Sequence, residues 1–168
     1  NAYVNKINEI FERSRIPFFE PCTQRRQVYD YEWRERHEAV LERNATQNPE
    51  ILMIGNSITH FWDGMPEYKV QAGKKSWKKM FGKRSVTNMG FGWDRIENLL
   101  WRIQHGELDN CSPKHIFMMI GTNNLQKNSN EEIVSGIIEL SKLIRRRQPL
   151  AKLHVIKIFP RREQEERI

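Results

Sequence analysis

The feature that most constrains this chain is an alternation of short apolar runs with longer amphipathic stretches. Residues 50–55 (Glu-Ile-Leu-Met-Ile-Gly) and 114–120 (Lys-His-Ile-Phe-Met-Met-Ile) are apolar without helical spacing, as buried parallel strands are, and each meets a glycine. Residues 85–88 and 152–159 read as two further strands, the latter closed by Pro160. Between them lie helical patterns. Residues 31–43 set Trp33, His37, Val40 and Leu41 on one side. A helix beginning at Asp94, with Asp94 and Glu97 at capping-box spacing, carries the stripe Ile96, Leu99, Leu100 and Ile103. Residues 130–147 form a long helix capped by Asn130, with Ile133, Ile137, Leu140 and Ile144 facing inward. Strands and helices in this order predict an α/β fold, a parallel sheet with helices on both faces. Residues 31–168 read as one such domain. Residues 1–30, with a helical candidate at 4–13 and then Pro17 and Pro21, read as an N-terminal extension.

In a sheet of this kind ligands bind beyond the carboxyl ends of the strands. Three strands end in small or polar residues: Gly55-Asn56-Ser57, Asn88-Met89-Gly90 and Gly121-Thr122-Asn123. The fold therefore sets all three clusters on one edge. A nucleophilic serine needs its hydroxyl at the end of a rigid element, donors aimed at the developing oxyanion, and a base. Ser57 meets the first need, and its own N–H points into the same space. Asn123 adds an uncharged side-chain donor. The Gly90-Phe91-Gly92-Trp93 turn adds backbone donors, its glycines allowing close approach of a substrate. Asn56, Gly90, Gly92 and Asn124 are the candidate substrate-binding residues. Each residue alone has a plainer explanation, since serines cap helices and glycines make turns. Thr59 lies two residues after Ser57, which excludes the G-x-S-x-G elbow.

Charge raises a rival reading. The net charge is +7, with basic clusters at Lys74, Lys75, Lys78, Lys79, Lys83 and Arg84, at 145–147, and at Arg161 and Arg162. Trp77 and Phe81 offer stacking platforms if the first cluster binds nucleic acid. No nucleic-acid motif accompanies it, so solvated helix faces are the expectation and no nucleic-acid partner is assigned. No apolar run is long enough to span a bilayer. The start, Asn1-Ala2-Tyr3-Val4-Asn5-Lys6, lacks the apolar core of a signal peptide, which leaves the compartment open. Cys22 and Cys111 are too few for a disulfide framework and are read as separate thiols. Two glycosylation triplets begin at Asn44 and Asn110, a pattern common by chance. The residues show no metal-ligand spacing and no cofactor motif, so neither a metal nor a cofactor is expected. A homo-oligomer is compatible with the sequence.

In order, the three clusters resemble the blocks of the SGNH (GDSL-like) hydrolases. Gly55-Asn56-Ser57-Ile58-Thr59 resembles the first block, the run Asn88 to Asp94 the second, and Gly121-Thr122-Asn123-Asn124 the third. Within the family the likeness runs toward platelet-activating-factor acetylhydrolase-like catalytic subunits and their bacterial relatives. It takes in Leu100-Trp101-Arg102-Ile103, Gly106-Glu107-Leu108 and Arg147-Gln148-Pro149. The resemblance implies a three-layer α/β/α sandwich with flavodoxin-like strand order. It implies hydrolysis of a small-molecule ester, with Ser57 as nucleophile. The Ser57 N–H, the N–H at Trp93 and the Asn123 side chain would form the oxyanion hole. Asn56 replaces the usual aspartate, and Trp93 stands where the family commonly has glycine. Nothing after Pro160 resembles the family's Asp-x-x-His segment. The chain is therefore expected to be a piece of a longer one, its C-terminal strand and helix missing. His60, three residues after Ser57, is the one local alternative base, and packing in its loop is the expectation for it. His115 and His154 read as structural residues in strands, while His37 and His105 are remote. A non-catalytic binding or assembly module using the same cleft is the alternative to an esterase.

Overall fold

The computed structural model describes residues 19–24, 27–28 and 31–161. The helical candidate at 4–13 lies outside them. A two-stranded antiparallel ribbon, β1 (Gln27–Val28) and β2 (Tyr31–Glu32), leads into α1 (Trp33–Gln47). Then follow β3 (Ile51–Gly55), the short α2 (Ser57–His60) and α3 (Lys74–Phe81). The rest runs β4 (Val86–Gly90), α4 (Ile96–Gln104), β5 (His115–Met119), α5 (Asn130–Arg147) and β6 (Lys152–Val155). A single 3₁₀ turn, Thr122–Asn124, follows β5.

The main sheet is parallel throughout, in the order β4-β3-β5-β6. This is the expected α/β architecture, and the chain order 2-1-3-4 is the flavodoxin-like one. Alternation along the strands builds two cores. Leu52, Ile54, Met89, Ile116 and Met118 pack with α1, α4 and α5 on one face. Ile51, Met53 and Val86 meet Trp77 and Phe81 of α3 on the other. Residues 19–24 belong to the first core, since Phe19 is buried in it and the Cys22 N–H reaches the Glu97 carbonyl at 3.3 Å.

Several boundaries differ from the sequence expectation. The helix expected from Asp94 starts at Ile96, because the Asp94 carboxylate turns inward rather than capping. Its first donors go to asparagines: the Arg95 N–H to Asn98 Oδ1 and the Ile96 N–H to Asn124 Oδ1, both at 3.0 Å. The cap of α5 is Ser129, paired reciprocally with Glu132, and Asn130 is the first helical residue. Strand β4 extends to Gly90, while β6 stops at Val155, where its neighbour β5 is about to end. Helix α3 is new relative to the sequence reading. Its Trp77 and Phe81 are buried against the sheet, so they offer no stacking surface to a base. Both cysteines are free thiols. Among the described residues no helix is long and apolar enough to cross a membrane.

Candidate active site

Parallel register is what assembles the site. Gly55 at the end of β3 pairs with Gly90 of β4 on one side and with Met119 of β5 on the other. The segments carrying Ser57, Trp93 and Asn123 therefore leave the sheet at one level. Hydrogen bonds then tie them together. The Phe91 N–H donates to the Gly55 carbonyl at 3.0 Å, the Gly92 N–H to His60 Nδ1 at 3.0 Å, and Asn123 Nδ2 to the Asp94 carbonyl at 2.9 Å.

Ser57 opens α2 and is half-buried. Asn56 is its N-cap: the side chain is fully buried and Oδ1 accepts the Ile58 N–H at 3.0 Å. Gly90 is required by closeness, for a Cβ there would lie 2.6 Å from the Thr59 carbonyl carbon, in the backbone of α2. Asn88 locks the same contact, its Nδ2 donating to the Thr59 carbonyl and its Oδ1 accepting the Gly90 N–H, each at 2.8 Å. Asn124 is buried, its Nδ2 donating to Glu97 and Asn128. Asn56, Gly90 and Asn124, expected at the substrate, thus each hold the scaffold in place. Trp93 has φ 61°, a left-handed conformation that favours glycine, and its indole is 40% exposed. Its ring meets Phe61 edge-on, and Phe61 stacks on Tyr68. An apolar cavity of about 580 Å³ opens beside Ser57, lined by Met53, Ile58, Phe61, Trp62, Phe117 and Phe159 among others.

The described histidines divide clearly. His60 is 1% exposed, and burial, with the nearby Arg36 and Arg102 cations, lowers its pKa to about 2. His115 Nδ1 lies 3.2 Å from His154 Nε2, on the sheet beside Phe117. His37 is paired with Glu107. His105 stacks on Trp101 at the end of α4.

Beneath the Gly90–Asp94 turn lies a buried ionic network that the sequence reading missed. Asp94 accepts from Trp33 Nε1 and Arg102 Nε, each at 2.8 Å, and from Gln24 Nε2. Arg102 continues to Glu107, and Glu107 to His37. The Arg102 guanidinium also sits 3.9 Å from the centre of the Phe91 ring. Burial raises the Asp94 pKa to about 6, against the opposing pull of Arg102, Trp33 and Gln24. The only sequence signal was an arginine and a glutamate inside an otherwise apolar helix-and-turn pattern.

A parallel sheet of this order, with its polar clusters on the carboxyl edge, is an α/β architecture that binds ligands at that edge. The chain belongs to the GDSL-like lipase/acylhydrolase family, whose model matches residues 53–167. It is 34% identical over 134 residues to platelet-activating factor acetylhydrolase IB subunit alpha2 of Rattus norvegicus and of Homo sapiens. It is 29% identical over 132 residues to the alpha1 subunit of Pongo abelii. These matches cover 80% and 79% of this chain but 54% and 53% of the relatives, so the chain spans about half their length. Among solved structures, one from Streptococcus pneumonia named for platelet activating factor superposes with a TM-score of 0.56. It is 20% identical and covers 99% of this chain and 66% of that one, a likeness of fold.

Proposed function

We propose that this chain carries the nucleophile and oxyanion hole of a serine ester hydrolase acting on short acyl esters. The observation that carries the reading is the in-register meeting of Gly55, Gly90 and Met119, which brings Ser57, Trp93 and Asn123 to one edge. Ser57 Oγ attacks the ester carbonyl as a base takes its proton, and the alcohol leaves with a proton returned to it. Water then attacks the acyl-enzyme and frees Ser57. The oxyanion is held by the N–H groups of Ser57 and Trp93 and by Asn123 Nδ2, whose second hydrogen remains after the bond to the Asp94 carbonyl.

His60 is unsuited to be the base. Its Nδ1 already accepts a hydrogen bond, and a pKa near 2 leaves it too weak a proton acceptor at neutral pH. In the family pattern the base comes from an Asp-x-x-His segment, a motif that residues 1–168 do not contain. By itself the chain should show only the residual catalysis of hole and binding, roughly 10³–10⁴ over water. Acetylated carbohydrates and short acyl lipids both fit, and the acetylhydrolase names of the relatives support a small acyl group. The Trp93 ring meets Phe61, which lines the cavity beside Ser57, so Trp93→Gly should raise activity on longer acyl chains relative to acetyl.

The deciding experiment is labelling of the full-length protein with a fluorophosphonate. Modification confined to Ser57 and abolished in Ser57→Ala supports the reading. Asn123→Ala should then lower turnover roughly 10²–10³-fold. No labelling at Ser57 would leave a binding or assembly role for the same cleft.

A further inference from the structure

We infer that His60 and Gln24 are positioning residues that clamp Gly92 from its two sides and so aim the Trp93 N–H at the oxyanion. The inference rests on the reading of Ser57 and Trp93 above. The Trp93 N–H belongs to the peptide unit whose carbonyl is that of Gly92. Gln24 Nε2 donates to this carbonyl at 3.1 Å, at the opposite end of the same peptide plane. His60 Nδ1 accepts the Gly92 N–H at 3.0 Å, fixing the preceding plane. With both neighbours held, the rotation that would swing the Trp93 N–H away from the oxyanion is blocked. A donor bonded to the carbonyl also polarises the peptide, which strengthens its N–H as a donor.

The clamp needs an imidazole whose Nδ1 is unprotonated: the surroundings disfavour the charged ring, and the Gly92 N–H selects the tautomer with its proton on Nε2. His60 is buried against the rings of Tyr68, at 4.3 Å, and Phe61, at 5.1 Å, and the Arg36 and Arg102 cations disfavour a charged ring. Gln24 is held in turn by Asp94, to which its Nε2 also donates. The two residues come from distant parts of the chain. One ends the helix that Ser57 opens, and the other lies in the N-terminal segment outside the region matched by the family model. The hole is thus built from a piece of chain that contributes no reacting atom.

The test measures kcat and KM of the full-length protein on p-nitrophenyl acetate, with urea midpoints taken alongside. Both His60→Leu and Gln24→Ala should lower kcat roughly 10²-fold, the scale of a small misplacement of a catalytic group, with KM unchanged. The double variant should lose less than the product of the two, because both act on one peptide. His60→Asn, which keeps an acceptor near the Nδ1 position, should regain most of the kcat, and a purely structural role would not give that rescue. Wild-type turnover in both variants, with Ser57 still labelled by fluorophosphonate, would overturn the clamp while leaving the hydrolase reading intact. Absence of labelling in the wild type would remove both. If His60→Leu does not fold, Gln24→Ala, at a part-buried position, decides alone.

Discussion

Asp94 holds a carboxylate with no access to solvent, and its neighbours explain how it is tolerated. Trp33, Gln24 and Arg102 all donate to it, and Arg102 is itself shared with Glu107. Removing one partner of such a buried set leaves charge uncompensated. Asp94→Asn should therefore cost about 3–5 kcal/mol, read as a lowered urea midpoint. The two shifted groups of the site also give opposite pH dependences. The folded chain keeps His60 unprotonated down to about pH 2, whereas unfolded histidine takes up its proton near 6.5. That contribution to stability is complete above 6.5 and lost as pH falls, at about 1.4 kcal/mol per unit. Folded Asp94 holds its proton up to about pH 6, against 3.8 when unfolded, so its contribution declines as pH rises between those values. His60→Asn removes only the first effect. Between pH 6.5 and 5 the variant should lose about 2 kcal/mol less stability than the wild type, measured by urea unfolding at both pH values.

At the level of elements, α2 and β4 are fitted to each other at Gly90. A methyl group there would enter the backbone of Thr59 and His60, which cannot yield as a flexible side chain can. Gly90→Ala should cost about 1–3 kcal/mol and, by displacing Ser57, lower turnover more than KM, a split that steady-state kinetics resolves. These elements were unevenly legible in the sequence. Strand β3 and helix α5 announce themselves by apolar run and period, and the three clusters at strand ends pointed to one edge. Helix α3 did not, because its lysines outnumber its two inward aromatics and read as a charge cluster. Arg36 was equally hidden. It lies on the buried face of α1 because it donates to the carbonyls of Asn88 and Gly90 at the end of β4, a partner that periodicity does not reveal. Gln24 carries no local signal at all, since its role depends on contacts nearly seventy residues away.

Across the whole molecule, charge is distributed unevenly. From Tyr68 to Trp93 there is no acidic residue, while Lys69, Lys74, Lys75, Lys78, Lys79, Lys83 and Arg84 all fall there. Every one of these seven is exposed, and the aromatic residues between Lys75 and Lys83 face the sheet. Such a surface should attract polyanions through charge, with Trp77 and Phe81 turned away from solvent. Retention on heparin at low salt should be lost by about 200 mM, and an equal-length DNA strand should bind no better than heparin.

Helix α2 is four residues long, too short to persist without its surroundings. Asn56 caps it where it leaves β3, and Asn88, Gly90 and His60 bind it to the end of β4. The turn that bears Ser57 thus cannot fray as a surface loop does. It opens only when the sheet edge opens, as part of one cooperative unit, so its amide hydrogens exchange with solvent at the slow rate of β3 and β4.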